Sequence, residues 1–290
     1  MIKELEYHQA CDLADALKLA GEFGSRKRVL AGGTDVLVRL KEGMVDESVI
    51  VDISRVAELR TIREEAGIVH IGACVTHADI AHSDVVQLHG CALAMAAERV
   101  GGPQIRNMGT IGGNVANASP AGDTIPALVV LDATVVLASV RGARTVPILD
   151  FFTGPGRSVL CSDELVTEVS FPATGAREFT RFRKLGSRQA MTISTASVAV
   201  YFRLDGRHRI VQARIAFGSV APTVVRALKT EELFRRLPGM PAWDTVRGAA
   251  QMAWKEVAPI DDLRASALYR REVVAGLLAQ TASEALGVVA

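Results

Sequence analysis

The sequence predicts an α+β protein, with an N-terminal portion that ends near residue 175 and a C-terminal domain of three strands plus helices. Three observations lead to this prediction. Before residue 175, short strand-like runs alternate with segments of helical periodicity. Residues 173–178 (ATGARE) have the composition of a short linker. After them, longer alternating strands flank an Asp205-Gly206 pair, which is typical of a β-hairpin turn.

The elements of both portions follow from local patterns. Apolar residues at helical spacing predict a helix over residues 10–23, which is followed by an exposed turn at 25–27. Thr76 is a natural N-cap, so a helix is expected from His77. Further helices are predicted at 88–100, 229–237, 242–256 and 266–287. Strands are predicted at 29–31, 36–38, 48–53, 67–75, 127–138, 144–149, 164–171, 179–185, 194–204 and 209–219.

Composition excludes several classes of protein. With 49% hydrophobic and 22% charged residues the chain is globular, and a net charge of +1 gives no electrostatic footprint for nucleic acid. The N-terminus has charges and no apolar run, so no secretory signal is expected. The apolar stretch at 125–140 is broken by Asp132 and is shorter than the ~20 residues that span a bilayer, so no membrane span is expected.

Cysteines and histidines give no pattern typical of a metal site. None of the four cysteines belongs to a CxxC pair, so iron–sulfur spacing is absent, and free thiols fit a reducing cytoplasm. His70 falls in a predicted strand, while His77 and His82 are five residues apart, which is poor spacing for one helix face. Structural roles are therefore expected for these histidines, and no metal ligand is predicted.

Two glycine-rich loops are the strongest chemical signals. In the first, AGGTDV at 31–36, the Gly32-Gly33 pair can adopt positive φ and direct backbone N–H groups at an anion, although an ordinary hairpin turn is the alternative. The second, TIGGN at 110–114, lies in a loop-rich region, 101–123, whose length is unusual inside a compact domain. Together the two loops match the two phosphates of a dinucleotide.

Other phosphate-binding motifs are missing. Neither loop contains the lysine of a P-loop, and no GxGxxG opens a helix, so neither an NTP site nor a Rossmann fold is predicted. Asp123 ends the second loop region. It is either an acceptor for ribose or base groups or a helix cap, since Thr124 and Pro126 follow it.

Several motifs together resemble those of the FAD-binding (medium) subunits of molybdenum hydroxylases, in particular the separate flavin subunit of bacterial xanthine dehydrogenases. They are AGGTDVLVRL, GPQIRNMGTIGGNVANASPAGDTIPAL and FFTGPGRSVL, and the resemblance continues through ELVTEVSFP, RFRKLGSRQAMTIST and ASALYRREV. It implies a PCMH-type FAD-binding fold, the vanillyl-alcohol-oxidase type. Its two α+β subdomains would be residues 1–55 and 56–175, followed by a C-terminal α/β domain of the CO dehydrogenase flavoprotein type at 176–290.

The resemblance also implies which residues bind FAD. Asp123 is expected near the adenosine, Val166 (with Leu165 as the alternative) near the flavin region, and Lys184 near the isoalloxazine edge. Without the resemblance, Lys184 would be interpreted as a surface lysine. The first loop contributes Val29, Leu30, Ala31, Gly32, Gly33, Thr34, Asp35 and Val36, and the second contributes Thr110, Ile111, Gly112, Gly113 and Asn114.

The implied activity is electron transfer within a cytoplasmic heteromer. Non-covalent FAD would receive electrons from [2Fe–2S] clusters on a small partner subunit and deliver them to NAD⁺ or another acceptor. A large partner subunit would hold the molybdopterin, because this chain has neither a molybdopterin motif nor iron–sulfur cysteines. Two alternatives remain open: a self-contained flavin reductase or oxidase of the same fold, and a non-catalytic nucleotide-binding scaffold.

Overall fold

A computed structural model describes residues 4–188 and 191–288. Gln189 and Ala190, within the RFRKLGSRQAMTIST segment, lie outside the described residues. Three main sheets follow one another along the chain, formed by strands within residues 6–52, 62–172 and 178–226. They correspond in sequence to the three predicted domains, whose exact boundaries stay a prediction.

The first sheet is parallel, in the order β1-β3-β2. Apolar residues of β3 are buried at its centre, and the helix before β2 packs Ala16, Ala20 and Phe23 against it. The elements in chain order are β1 (Glu6–Gln9), α1 (Leu13–Phe23), a 3-10 turn (Gly24–Arg26), β2 (Lys27–Leu30), α2 (Val36–Lys41) and β3 (Val49–Asp52).

The expected strand at 36–38 is helix α2. Gly33 has a φ of 74°, which turns the chain, and Leu37 N–H then donates to the Gly33 carbonyl at 3.0 Å. Three consecutive apolar residues carry no periodicity, so the pattern could not distinguish a short strand from a half-exposed helix. The glycine pair therefore connects a strand to a helix rather than two strands.

The second sheet is antiparallel, in the order β4-β5-β10-β6-β7, and a group of helices covers it. Its first part contains a 3-10 turn (Ala57–Arg60), β4 (Ile62–Glu65), β5 (Ile68–Gly72), α3 (His77–His82), α4 (Asp84–His89), α5 (Cys91–Glu98), α6 (Pro103–Met108) and α7 (Ile111–Asn117). Its second part contains α8 (Thr124–Val130), β6 (Thr134–Ser139), β7 (Gly142–Pro147), α9 (Ile148–Phe151), β8 (Phe152–Gly154), β9 (Arg157–Ser158) and β10 (Leu165–Pro172).

Three expectations in this region are corrected. The helix expected at 88–100 is divided at Gly90, where a Cβ would lie 2.8 Å from the ring of Phe171. The loop expected at 101–123 contains α6 and α7. The strand expected at 127–138 is α8 followed by β6; because α8 is buried on all sides it has no amphipathic pattern, and Pro126 in its first turn is compatible with a helix.

The C-terminal domain has a four-stranded antiparallel meander, β11-β12-β13-β14, packed against helices. The predicted hairpin at Asp205-Gly206 is confirmed by the pairing of the second and third strands. The fourth strand, missed in the sequence, is only two residues long. The elements are β11 (Glu178–Leu185), β12 (Ala196–Leu204), β13 (Ile210–Gly218), β14 (Val225–Arg226), α10 (Leu228–Arg235), α11 (Trp243–Ala250), a 3-10 turn (Gln251–Lys255) and α12 (Ala267–Leu286).

Within the described residues, no helix is long and apolar enough to cross a membrane. The described residues also contain no group of three or more His, Cys, Asp or Glu side chains that could hold a metal ion.

Candidate cofactor cavity

A cavity of about 400 Å³ lies where the first sheet meets the second, which is within the size range of ligand pockets. Twelve of the sixteen predicted site residues line it: Val29, Ala31, Gly32, Gly33, Thr34, Asp35, Val36, Thr110, Gly112, Gly113, Asn114 and Val166. Both glycine-rich segments therefore face one cavity. Their contacts with a cofactor stay a prediction.

The first glycine loop presents a run of free donors to the cavity. Among the described residues, the backbone amides of residues 32–36 make no hydrogen bond within the chain. Asp35 is exposed and the other four residues are half-buried, so these amides are open to a partner from outside the chain. Five in succession, on the wall of a cavity and beside the positive φ of Gly33, form a site for an acceptor-rich group such as a phosphate.

The second loop has a different role from the one its glycines predicted. The four amides of residues 111–114 are used internally: Ile111 N–H donates to Val75 O, Gly112 N–H to Ala73 O, and Asn114 N–H to Thr110 O. The remaining amide, of Gly113, donates to Thr110 Oγ1 at 3.1 Å, which caps α7. The expectation of a second nest of free amides is therefore wrong, and this segment offers a helix face instead.

Close packing explains one glycine in each loop. A Cβ at position 112 would lie 2.5 Å from the Cβ of Ala73, so only glycine lets α7 approach the residue after β5 this closely. A Cβ at position 32 would lie 1.6 Å from the carbonyl oxygen of Met108. The first loop thus rests directly on the backbone that precedes the second, and this contact brings the two cavity walls together.

Side chains also connect the two walls. Asn117 Nδ2 donates to Asp35 Oδ1 at 3.2 Å, and its Oδ1 accepts from Arg39 Nη2 at 3.2 Å. Asn114 instead faces α8, where its Oδ1 accepts from the Thr124 hydroxyl at 2.7 Å. The polar network of Asp35, Asn117 and Arg39 therefore holds the first loop against α7 at the cavity.

Four predicted site residues do not line the cavity. Ile111 is fully buried in the core, and Leu30 packs under the first loop, with its Cδ1 3.2 Å from where a Cβ of Gly33 would be. Asp123 and Lys184 form a buried ion pair with each other, with Nζ and Oδ2 2.5 Å apart.

That ion pair limits how the two expectations can be combined, and the contact of each residue with a cofactor stays a prediction. In an extended dinucleotide the adenosine and the isoalloxazine are at opposite ends, so Asp123 and Lys184 cannot mark the two ends while in contact. Lys184 Nζ also donates to the carbonyl of Arg99 at 3.1 Å, next to Val100 on the cavity wall. Both residues therefore lie together outside the cavity lining, with Lys184 bonded to the residue before Val100.

The alternative of a capping role for Asp123 is also wrong. Its carboxylate makes no capping hydrogen bond to α8 and instead accepts from the Ser194 hydroxyl at 2.5 Å. Burial raises the pKa of Asp123, and the Lys184 ammonium opposes that shift. Because these partners come from β11 and the segment before β12, the group connects the C-terminal domain to α8.

The sequence interpretation missed several cavity residues. Lys27, assigned to an exposed turn, donates to the carbonyls of Gly24 and Ser162, and burial lowers its pKa. Because Lys27 stands between Arg26 and Arg28, the sequence predicted an ordinary surface lysine. Ala116 and Asn117 follow Gly113 at helical spacing on α7, a signal that was available once that segment was recognised as a helix.

His77 is another missed cavity residue. It is the first residue of α3 and is only 2% exposed, and burial alone lowers its pKa to about 4, so the imidazole is neutral at physiological pH. Its Nδ1 is buried without a hydrogen-bond partner in the described residues. The expected N-cap at Thr76 is confirmed and is what places this ring at the cavity.

Comparison with known proteins agrees with this architecture. Residues 3–174 match the FAD binding domain in molybdopterin dehydrogenase, and residues 181–285 match the CO dehydrogenase flavoprotein C-terminal domain. The chain is 36% identical to the xanthine dehydrogenase FAD-binding subunit of Escherichia coli O157:H7, over 97% of this chain and 95% of that one. It is 34% identical to the nicotinate dehydrogenase FAD-subunit of Eubacterium barkeri, over 95% and 94% of the two chains.

Solved structures show the same fold. A chain of the carbon monoxide dehydrogenase from Hydrogenophaga pseudoflava, in a form that lacks the Mo-pyranopterin moiety, superimposes with a TM-score of 0.93 at 33% identity, with 100% of both chains covered. The predicted α+β fold, with its flavoprotein-type C-terminal domain, is thereby confirmed. The chain belongs to the family of FAD-binding medium subunits of molybdenum hydroxylases and is an oxidoreductase component.

Proposed function

We propose that this chain is the electron-transfer subunit of a cytoplasmic molybdenum hydroxylase of the xanthine dehydrogenase type. It would hold FAD non-covalently and work with a small [2Fe–2S] subunit and a large molybdopterin-binding subunit. The observation that carries the proposal is a run of five backbone amides, residues 32–36, without partners in the part of the chain that the structure describes. They lie on the wall of a cavity that α7 closes from the other side.

These residues fit an anionic dinucleotide. Neutral amide donors can hold a diphosphate without the lysine of a P-loop, and Gly33 keeps the backbone open at positive φ. Thr34 adds a hydroxyl, Gly113 and Ala116 present a flat helix face, and Val166 adds an apolar wall. The predicted contacts of Val29, Ala31, Asp35, Val36, Thr110, Gly112 and Asn114 are proposed on the same basis.

When bound, FAD would accept electrons from the iron–sulfur partner and release them to NAD⁺ or another acceptor. The chain's own contribution is to bind and orient it. The loop amides and α7 fix the diphosphate, while the Asp123–Lys184 pair holds the β11 end of the C-terminal domain against α8 beside the cavity. The Lys184 ammonium therefore lies near Val100 of the cavity wall but does not line the cavity.

The names of the relatives support an assembly. The protein from E. coli is named a FAD-binding subunit, and a protein of Hydrogenophaga pseudoflava that is 36% identical over 91% of both chains is named a carbon monoxide dehydrogenase medium chain. Both names describe one member of a set of subunits. We infer that this chain also requires partners to turn over a substrate.

The decisive experiment compares the purified chain alone with the chain co-expressed with its partners. We expect the lone chain to take up one FAD, to release it on denaturation, and to show no flavin reduction by xanthine. The assembly should show substrate-dependent flavin reduction, and adding NAD⁺ should reoxidise it. Turnover by the lone chain would instead identify a self-contained reductase or oxidase, and failure to take up FAD would identify a scaffold.

A further inference from the structure

His77 is a polar side chain that the fold buries and leaves unused. The ring is 2% exposed, its Nδ1 has no partner in the described residues, and the ring lines the cavity. A buried polar atom without a hydrogen bond destabilises a protein, so native structures rarely contain one unless a ligand or water completes it. Neither ring nitrogen makes a hydrogen bond with the described chain; Nδ1 is enclosed by protein, so the ring edge that carries Nε2 is the one that a group in the cavity can meet.

The position of the ring indicates what that group is. The backbone N–H of His77 donates to the Gly109 carbonyl at 3.0 Å, which holds the start of α3 against the segment before α7. The point where a Cβ of Gly109 would be is 3.2 Å from His77 Cδ2 and 3.4 Å from Thr34 Oγ1. The Cδ2–Nε2 edge of the imidazole therefore borders the loop whose amides are free, and Nε2 can supply another neutral donor to the same small region.

We propose that His77 is a cofactor-binding residue, whose imidazole donates a hydrogen bond to an oxygen of the FAD diphosphate. This inference rests on the proposed function. A diphosphate offers only acceptors, and the elements around it otherwise supply amide and hydroxyl donors. The neutral imidazole fits that pattern because it donates without adding a buried positive charge, and burial keeps it neutral in the empty cavity.

The test substitutes His77→Leu, which keeps the side-chain volume close and removes the polar nitrogens. We expect the FAD dissociation constant of the apoprotein to rise about tenfold, equal to about 1.4 kcal/mol. We also expect the melting temperature of the apoprotein not to fall, because no internal hydrogen bond is lost. His82→Leu is the matched control: His82 is exposed at the end of the same helix and should leave FAD affinity unchanged.

A second variant and a spectroscopic measurement complete the test. His77→Gln keeps a neutral N–H donor and should recover part of the affinity lost in the leucine variant. In the wild-type protein, addition of FAD should shift a ring ¹⁵N resonance of His77 and leave that of His82 unchanged. If wild-type protein binds FAD and the leucine variant binds it equally well, the inference is wrong while the proposed function stands; if wild-type protein does not bind FAD, the proposed function fails.

Discussion

Gly32 lies directly against the carbonyl oxygen of Met108, at a distance that leaves no room for a side chain: a Cβ there would be 1.6 Å from that oxygen. The contact joins the first glycine loop to the segment before α7, and so it sets the width of the cavity. The more familiar reason for a glycine, positive φ, applies to its neighbour Gly33. The two adjacent glycines therefore serve different physical purposes and predict different mutant behaviour.

Gly32→Ala should force the loop away from Met108. We expect loss of FAD binding together with a lower free energy of unfolding, by about 1–3 kcal/mol, as for other overpacked sites. Gly276→Ala, in α12 with no atom within 4 Å of the added carbon, is the control; it should keep FAD and gain up to about 1 kcal/mol of stability. Flavin content and thermal melting measure both effects, and full flavin content in the first variant would contradict the packing argument.

Gly33→Val should also abolish FAD binding, because φ is 74° there and the added atoms would meet Leu37 and crowd the free amides. Gly43→Val provides a control with the same type of backbone strain, since Gly43 has a φ of 69° and nothing near its Cβ position. Both variants should lose about 1–2 kcal/mol of stability from that strain. Only the variant at position 33 should lose flavin; equal flavin content in the two would show that the loop does not bind the cofactor.

The Asp123–Lys184 ion pair predicts that the losses of unfolding free energy in the two single variants do not add in the double variant. Both side chains are buried, so Asp123→Ala or Lys184→Met should each lower the free energy of unfolding by about 3–5 kcal/mol, because the remaining charge stays buried without its partner. The double variant should lose much less than the sum of the two. Chemical denaturation of all four proteins measures the coupling, and additive losses would mean that the pair is not an ionised unit.

Stability of the apoprotein should depend on pH through His77. Burial lowers its folded-state pKa to about 4 from an ordinary value near 6.5, so the unfolded chain binds more protons between these values. The stabilisation from keeping the ring neutral is therefore complete above about pH 6.5 and is lost as the pH falls towards about 4, in total roughly 3 kcal/mol. The difference in denaturation free energy between wild type and His77→Leu, followed from pH 7.5 to 4.5, should show this slope; parallel curves would contradict the burial of a neutral ring.

Much of the protein followed from local sequence. The hairpin at Asp205-Gly206 and the cap at Thr76 were predicted, and the positive φ expected for the Gly32-Gly33 pair is found at Gly33. A turn, a cap and a glycine conformation each depend on a few adjacent residues. The clustering of the two glycine segments at one cavity also agrees with the sequence pattern. The family motifs added the order of the domains.

What local sequence could not determine was which atoms remain free after the chain packs. The segments 111–114 and 32–36 are both glycine-rich. The amides of 111–114 donate to Ala73, Val75 and Thr110, whereas those of 32–36 have no acceptor in the described chain. Asp123 and Lys184, 61 residues apart, became a pair only when β11 packed beside α8. His77 became a cavity residue by the same route. Such properties depend on distances between segments remote in the chain, so the sequence by itself specified the donors and acceptors, and the tertiary structure decided which of them are left for a ligand.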